Sequence, residues 1–339
     1  MLNKFYSMFA GDIAIDLGTA NTIIWVKGEG VVLNEPSIVA KKVHDEAIIA
    51  IGNEAKEMLG RTHSGIEIVR PLKDGTIADY RMTDAMIQGF MRKIKRSRIS
   101  RPRIVICIPY GVTDVEQRSV KESAEHANAS EIYLISEPMA AAIGIGIDVT
   151  KPIGNMIVDI GGGTTEIAVI SLNGIGAIET IKVAGDEQTD AIVEWFKNQH
   201  KLGIGERTAE NIKCSVGSAI RTSGENISVK GRDLVTGLPK TIEISTDEIR
   251  QALAETVFQI TTAIKKALDK TPPEHAADII DRGIILTGGG ALLKNLDEHI
   301  RNKTGIPVHV AEDPLLSVVK GTGIVLEDIK KYKEVLITP

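Results

Sequence analysis

Cysteine is nearly absent from this chain, and so are aromatic side chains. Cys107 and Cys214 are the only two cysteines in 339 residues, with no CxxC spacing. A disulfide framework is therefore excluded, which fits a reducing cytoplasm. Cys107 lies in the apolar run Ile104–Ile108, where a small buried hydrophobe is the expected role. Aromatics make up 4% of residues, so β-branched residues, Leu and Ala must fill the core. No stretch approaches the roughly 18 apolar residues that a membrane-spanning helix needs. The first nine residues carry one positive side chain and no cleavage-like site, so they are not a secretory signal. A net charge of −5 argues against a nucleic-acid partner. The chain lacks a GxxxxGK[ST] P-loop and a GxSxG elbow. Its seven histidines show no zinc-like spacing, and His126, His200 and His299 read as helix-surface residues.

What the chain does contain is a repeated device. A hydrophobic strand ends on Asp16 and enters Leu17-Gly18-Thr19-Ala20-Asn21-Thr22; a second ends on Asp159 and enters Ile160-Gly161-Gly162-Gly163-Thr164-Thr165-Glu166. Each returns to strand-like sequence, Ile23–Val26 and Ile167–Ile170. Taken singly, each is an ordinary β-hairpin with Gly or Asn at its turn. Taken together, they suggest a duplicated fold. Backbone N–H groups freed in Gly/Thr turns make anion sites, and an adjacent carboxylate can hold phosphate-bound Mg²⁺ through water. A third strand, Ile284–Thr287, enters Gly288-Gly289-Gly290 and then Ala291-Leu292. Each glycine there costs roughly 0.5–1 kcal/mol against Ala where φ is ordinary, so such a run marks close approach of backbone or ligand.

The rest of the pattern is alternating α/β. Val31–Leu33 and Ser37–Ala40 read as strands, and residues 83–96 as a helix burying Met86, Ile87, Phe90, Met91 and Ile94. Thr113 with Glu116, and Ser245 with Glu248, form capping-box pairs that open helices. Pro138 suits a first helical position. Helices are expected over 190–200 and 208–220, a hairpin over 227–229 and 241–244, and a long helix ending before Thr271-Pro272-Pro273. At this length two domains are expected, without a flexible linker between them.

In this order and spacing, the three glycine-bearing motifs resemble the phosphate-1, phosphate-2 and adenosine segments of the actin / sugar kinase / heat-shock chaperone ATPase superfamily. Asn34–Ser37, Pro71–Gly75, Ser136–Ala142 and Ala311–Leu315 narrow the resemblance to the MreB family of bacterial actin homologues, across essentially the whole chain. The resemblance implies a duplicated actin-like (ribonuclease H-like) α/β fold, two lobes with a nucleotide cleft between them. Domain I would be residues 1–148 with 318–339 (small subdomain about 33–70), and domain II residues 149–317 (small subdomain about 181–245). It implies ATP and Mg²⁺ as ligands, with Asp16 and Asp159 organising the metal. Gly18, Thr19, Ala20 and Asn21, and Gly161, Gly162, Gly163, Thr164, Thr165 and Glu166, would surround the phosphates. Glu137 would polarise the attacking water with Thr164 assisting, although by itself it reads as a helix-start glutamate favoured by the macrodipole. Glu210 and Lys213, three apart, read alone as a surface ion pair; the resemblance places them against ribose and adenine. Gly288, Gly289, Gly290, Ala291 and Leu292 would lie along the nucleotide, with the last two beginning a helix.

The family implies slow ATP hydrolysis tied to head-to-tail, paired protofilaments at the inner face of the cytoplasmic membrane. There they would meet membrane proteins of the cell-elongation machinery and guide wall synthesis in rod-shaped cells. Met1, Leu2, Phe5, Met8 and Phe9 fall on one helical side and resemble the family's amphipathic N-terminus. A single short anchor is weak, given that a myristoyl chain gives only about 10⁴ M⁻¹, but a polymer can multiply it by roughly 10²–10⁴. The basic run Arg92–Arg103, with Ile99 as its apolar member, reads as a second membrane-facing segment or as a solvated charged face. A small-molecule kinase on this fold would need a polar cluster for a sugar, and none stands out. A chaperone ATPase would need a peptide-binding domain beyond Pro339.

Overall fold

The computed structural model describes residues 11–94, 101–222 and 225–337. These divide into two compact units, one drawn from Met1–Ile153, Ile170–Ile175 and Leu315–Pro339, the other from Gly154–Val169 and Gly176–Pro314.

In the first unit, Ile13–Leu17 and Asn21–Val26 pair antiparallel, with Asp16 opposite Ile23. Gly30–Pro36 extends this meander on one side. On the other side Ile13–Leu17 pairs parallel with Arg103–Ile108, which pairs parallel with Glu131–Ser136. Leu336–Ile337 closes the edge. The second unit repeats the order. Asn155–Ile160, Thr165–Ser171 and Gly174–Ile181 form the meander, and Ile284–Thr287 then Val308–Val310 add in parallel beyond Asn155–Ile160. Five strands in one order, twice over, establish the duplication that the two Asp–turn motifs announce.

Buried parallel strands read as near-continuous apolar runs, and Ile104–Ile108 and Met156–Val158 are essentially inaccessible. Each unit has its own core, the first around Met86, Phe90, Ile104 and Leu134, the second around Phe196, Leu253, Ile260 and Leu286. A three-stranded sheet in each unit stands apart from the main one: Val39–Lys42 with Ile48–Ile51 and Ile66–Val69, and Leu202–Gly203 with Asn226–Asp233 and Pro239–Ser245.

Local signals explain several helix starts. The helix expected over 83–96 runs Tyr80–Lys93, because the Asp79 carboxylate caps it by accepting from Met82 N–H at 3.0 Å. The Thr113/Glu116 box opens Asp114–His126, and Glu248 accepts from Ser245 N–H ahead of Thr246–Asp269. Pro273 starts a new helix, Pro273–Arg282. Ser37 and Ile38 are connection rather than strand, which begins at Val39. His200 is half-buried, with Nε2 2.7 Å from Glu248, so it is not the plain helix-surface residue expected.

Helices Glu137–Gly144 and Ser317–Glu327 cross in close contact within the first unit. A Cβ on Gly321 would come 1.8 Å from Ala140 O, and one on Gly144 1.9 Å from Ser317 O. Glycine is what permits this crossing. Among the described residues no helix is long and apolar enough to cross a membrane.

Candidate functional site

In the first unit the Gly18–Ala20 turn is held from behind by Ser37. Its hydroxyl donates to Gly18 O at 2.6 Å, its N–H donates to Ala20 O at 2.9 Å, and its oxygen lies 2.9 Å from Thr22 Oγ1. Two turn carbonyls are thereby engaged on the protein side. Gly75 N–H donates to Thr19 Oγ1 at 3.3 Å, so the Pro71–Gly75 motif supports the same turn. Asn21 Nδ2 donates to Asn34 Oδ1 at 2.9 Å. The strand register puts Asp16 level with Cys107, and Cys107 level with Ile135. Glu137 follows Ser136 as the first residue of its helix. Asp16 and Glu137 thus occupy the carboxyl ends of strands two apart in the sheet, about 10 Å at ordinary strand spacing. In open α/β sheets that end is where ligands bind.

In the second unit Asp159 is level with Thr287, which brings the Asp159 turn and the Gly288–Gly290 run side by side. Gly288 has φ +80°, and a Cβ there would meet Asp159 Oδ1 at 2.4 Å and Ile160 O at 2.3 Å. A Cβ on Gly290 would strike Ile160 Cγ2 at 2.2 Å. Gly288 N–H and Thr287 Oγ1 both donate to Pro314 O, at 2.9 and 3.1 Å, so the Ala311–Leu315 motif supports the glycine run. Gly289–Leu292 is a 3-10 turn, and the α-helix starts only at Leu296 after Asn295 in a left-handed conformation. The expectation that Ala291 and Leu292 open a helix is corrected: the close approach of Gly288 and Gly290 to Asp159 and Ile160 leaves room for a tight turn instead.

The Gly161–Thr164 turn closes by Gly161 N–H donating to Thr164 O at 2.9 Å. Its carbonyls are taken by the start of helix Gly185–His200: Gly185 N–H donates to Gly161 O at 3.1 Å and Asp186 N–H to Gly162 O at 2.8 Å. Thr164 is buried, and Thr165 and Glu166 are fully so. Thr165 Oγ1 donates to Val183 O at 2.7 Å.

Glu210 and Lys213 sit on helix Glu206–Val216 and pair at 2.6 Å, as their spacing alone suggests. Lys213 Nζ also donates to Gly185 O at 2.7 Å and to Thr189 Oγ1 at 2.9 Å. Burial pulls the Glu210 carboxyl upward, but the Lys213 charge and hydrogen bonds from Lys213, Thr189 and Cys214 outweigh it and hold the group below its ordinary value.

Asp159 behaves oppositely: burial pushes its carboxyl up to about 7. A desolvated carboxylate of this kind gains most from a nearby cation. Among the described residues no group of three or more His, Cys, Asp or Glu could hold a metal. The donors present fit Mg²⁺ brought by phosphates, since that ion is usually held by one or two carboxylates together with substrate oxygens and water.

Sequence reasoning gave Ser37 and Thr189 no role in the site, because each reaches its partner only through the tertiary fold. Met1, Leu2, Phe5, Met8, Phe9 and Ile99, the residues expected to meet a membrane, lie outside the described residues. Within the basic run, Lys93 pairs with Glu35 at 2.7 Å and Arg103 with Asp12 at 2.5 Å, so two of its charges are committed to the protein.

Residues 10–334 match the model of the MreB/Mbl protein family. The chain is 50% identical over 326 residues to the cell shape-determining protein Mbl of Bacillus subtilis (strain 168), covering 96% of this chain and 98% of the relative. It is 48% identical over 339 residues to the cell shape-determining protein MreB of Escherichia coli (strain K12), covering 98% of each. Among solved structures, MreB 5 of Spiroplasma citri bound to AMPPNP superposes with a TM-score of 0.91 at 38% identity, covering 96% of this chain and 98% of that one.

Proposed function

The chain belongs to the MreB/Mbl family and has its actin-like α/β fold, and on that premise we propose that it is an ATP-dependent filament protein of cell-shape determination with slow ATPase activity. The observation that carries the reading is the duplicated strand–Asp–turn, each copy with its turn carbonyls engaged from behind, by Ser37 in one unit and by the Gly185 helix in the other. The AMPPNP held by the Spiroplasma citri relative supports the same reading.

In this proposal the Gly18–Asn21 and Gly161–Thr164 turns offer N–H groups to the phosphates. Phosphoryl transfer asks a protein mainly for positioning and charge stabilisation. Mg²⁺ supplies that charge when bound, with Asp16 and Asp159 its carboxylate partners. Glu137 accepts a proton from the attacking water, with Thr164 assisting. Gly288–Gly290 lets backbone lie along the nucleoside, and Glu210 addresses the ribose. Bound ATP favours the assembling form, and hydrolysis loosens it. Copies join head to tail through two different patches, which yields an open filament rather than a closed ring. Filaments pair on the inner face of the cytoplasmic membrane through many weak N-terminal anchors and meet the elongation machinery there.

Electron microscopy on anionic vesicles with Mg-ATP tests this, comparing the full chain with one lacking residues 1–9. Filaments on the vesicles for the full chain, and filaments free of lipid for the shortened one, are expected. Bare vesicles and single particles for the full chain would end the reading.

A further inference from the structure

The chain passes between its two units four times, after Ile153, Val169, Ile175 and Pro314. Two of these passages fall inside one hairpin. Thr165–Ser171 and Gly174–Ile181 are neighbouring strands of the second unit's sheet. The turn that joins them, with residues 170–175, nevertheless packs as part of the first unit.

Leu172 and Asn173, at the tip of that turn, have φ of +48° and +60°. Asparagine tolerates this left-handed region, but a leucine there is an outlier. The Leu172 side chain is 63% exposed, so its own burial does not offset the strain. Strain of this kind persists where the surroundings over-determine the backbone, and here they do. Leu172 N–H donates to Lys151 O at 3.1 Å and Asn173 N–H to Val149 O at 2.8 Å. Asn173 Nδ2 donates to Glu334 Oε2 at 2.8 Å. All three acceptors belong to the first unit.

Within the second unit, the segments that follow Ile153 and Ile175 both begin on glycine, Gly154 and Gly176. One side chain packs against both. A Cβ on Gly154 would lie 2.7 Å from His275 Cβ, and one on Gly176 would lie 3.4 Å from His275 Nδ1 and 3.8 Å from Val169 O. His275 is carried by helix Pro273–Arg282. The same helix holds the chain beside it: Gly154 N–H donates to Asp278 Oδ2 at 2.7 Å, and Arg282 Nε donates to Asn155 Oδ1 at 2.9 Å.

We propose that the Leu172–Asn173 turn is a fixed part of the first unit, and that the passages after Ile153, Val169 and Ile175 flex together as one hinge seated on His275. Hinges are a few residues at loop or element ends that absorb the change in φ and ψ. Here each flexing stretch is short and fixed at both ends. Val149, Lys151, Leu172 and Asn173 are tied on one side, and Gly154 and Gly176 are seated on the other. The strained turn is the fixed end of the device, and nucleotide binding shifts the hinge that it anchors. This deepens the nucleotide reading and rests on it.

The test uses the full chain in a C214S background, which leaves the buried Cys107 as the one native thiol. Spin labels are placed in two pairs. L172C is combined with E125C on helix Asp114–His126 of the first unit, or with K265C on helix Thr246–Asp269 of the second; both partner positions are exposed. Labelled chain is diluted into excess unlabelled chain, so that only distances within one chain are read. They are measured with and without Mg-AMPPNP, whose binding is checked by calorimetry on the same samples. The 172–125 distance should stay constant while the 172–265 distance shifts by about 2 Å or more. A shift in the 172–125 distance would overturn the proposal, because the turn would then move with its own strands. Two constant distances in a chain that binds Mg-AMPPNP would overturn it by removing the hinge. A second measurement needs no nucleotide. E334A should speed hydrogen exchange in a peptide spanning 170–176 about three- to tenfold, through loss of one hydrogen bond to a carboxylate. Unchanged exchange there would overturn the anchor. Failure of the unmutated chain to bind Mg-AMPPNP would instead sink the nucleotide reading, and the exchange result would still decide whether the turn is anchored.

Discussion

Replacing Asp159 by asparagine should stabilise the nucleotide-free chain at pH 8 while weakening its hold on Mg-ATP. Burial raises this carboxyl from its ordinary 3.8 to about 7, so the folded chain keeps a proton that the unfolded chain releases. The resulting stabilisation is full below about pH 4, declines as pH rises, and is gone above about pH 7. Each tenfold in proton affinity is worth about 1.4 kcal/mol, so the climb from 3.8 to about 7 sets a ceiling of about 4 kcal/mol on the cost of the buried charge. The asparagine amide stays neutral throughout. Urea denaturation of both proteins without nucleotide, at pH 5, 6, 7 and 8, gives the difference curve, in which titrating groups remote from Asp159 cancel. That difference should grow in favour of D159N from pH 5 to pH 8, by up to about 3 kcal/mol. Mg-ATP should stabilise the unmutated chain far more than the variant. A difference curve flat with pH, or one in which D159N loses ground as pH rises, would refute the reasoning.

Glu137→Gln should lower phosphate release about 10²–10⁴-fold, the usual range for a general base, and leave Mg-ATP affinity measured by calorimetry within about threefold; undiminished hydrolysis would remove Glu137 from its role. Gly321→Ala should destabilise the first unit by about 1–3 kcal/mol or more through overpacking, because its Cβ would fall 1.8 Å from Ala140 O; an unchanged urea midpoint would contradict the close helix crossing. Ser37→Ala removes the hydroxyl that donates to Gly18 O. It should cost about 1–3 kcal/mol of stability and loosen Mg-ATP binding, and an affinity equal to the unmutated chain's would separate Ser37 from the site.

What the sequence revealed and what it hid divide by distance along the chain. The Asp16 and Asp159 turns, the Thr113/Glu116 box and the buried face of Met86, Ile87, Phe90 and Met91 are visible because their partners lie within a few residues. So is the Glu210–Lys213 pair, which forms at its helical spacing. Ser37 acting on Gly18, Thr189 on Glu210 and Arg103 on Asp12 span 19, 21 and 91 residues. Only the assembled sheets bring them together. The glycine run was legible as a place of close approach but not as a 3-10 turn, since what it approaches, Asp159 and Ile160, belongs to a neighbouring strand. The partners of Lys93 and Arg103 in the basic run, Glu35 and Asp12, were hidden for the same reason, lying 58 and 91 residues away along the chain.

Calorimetric titration of Mg-ATP into the full chain, Asp16→Asn and Asp159→Asn tests most directly whether residues of both units serve one nucleotide. One ATP per chain, weakened at least tenfold by either substitution, is the expected result. Binding that survives both changes, or two independent sites that each lose only one, would contradict it.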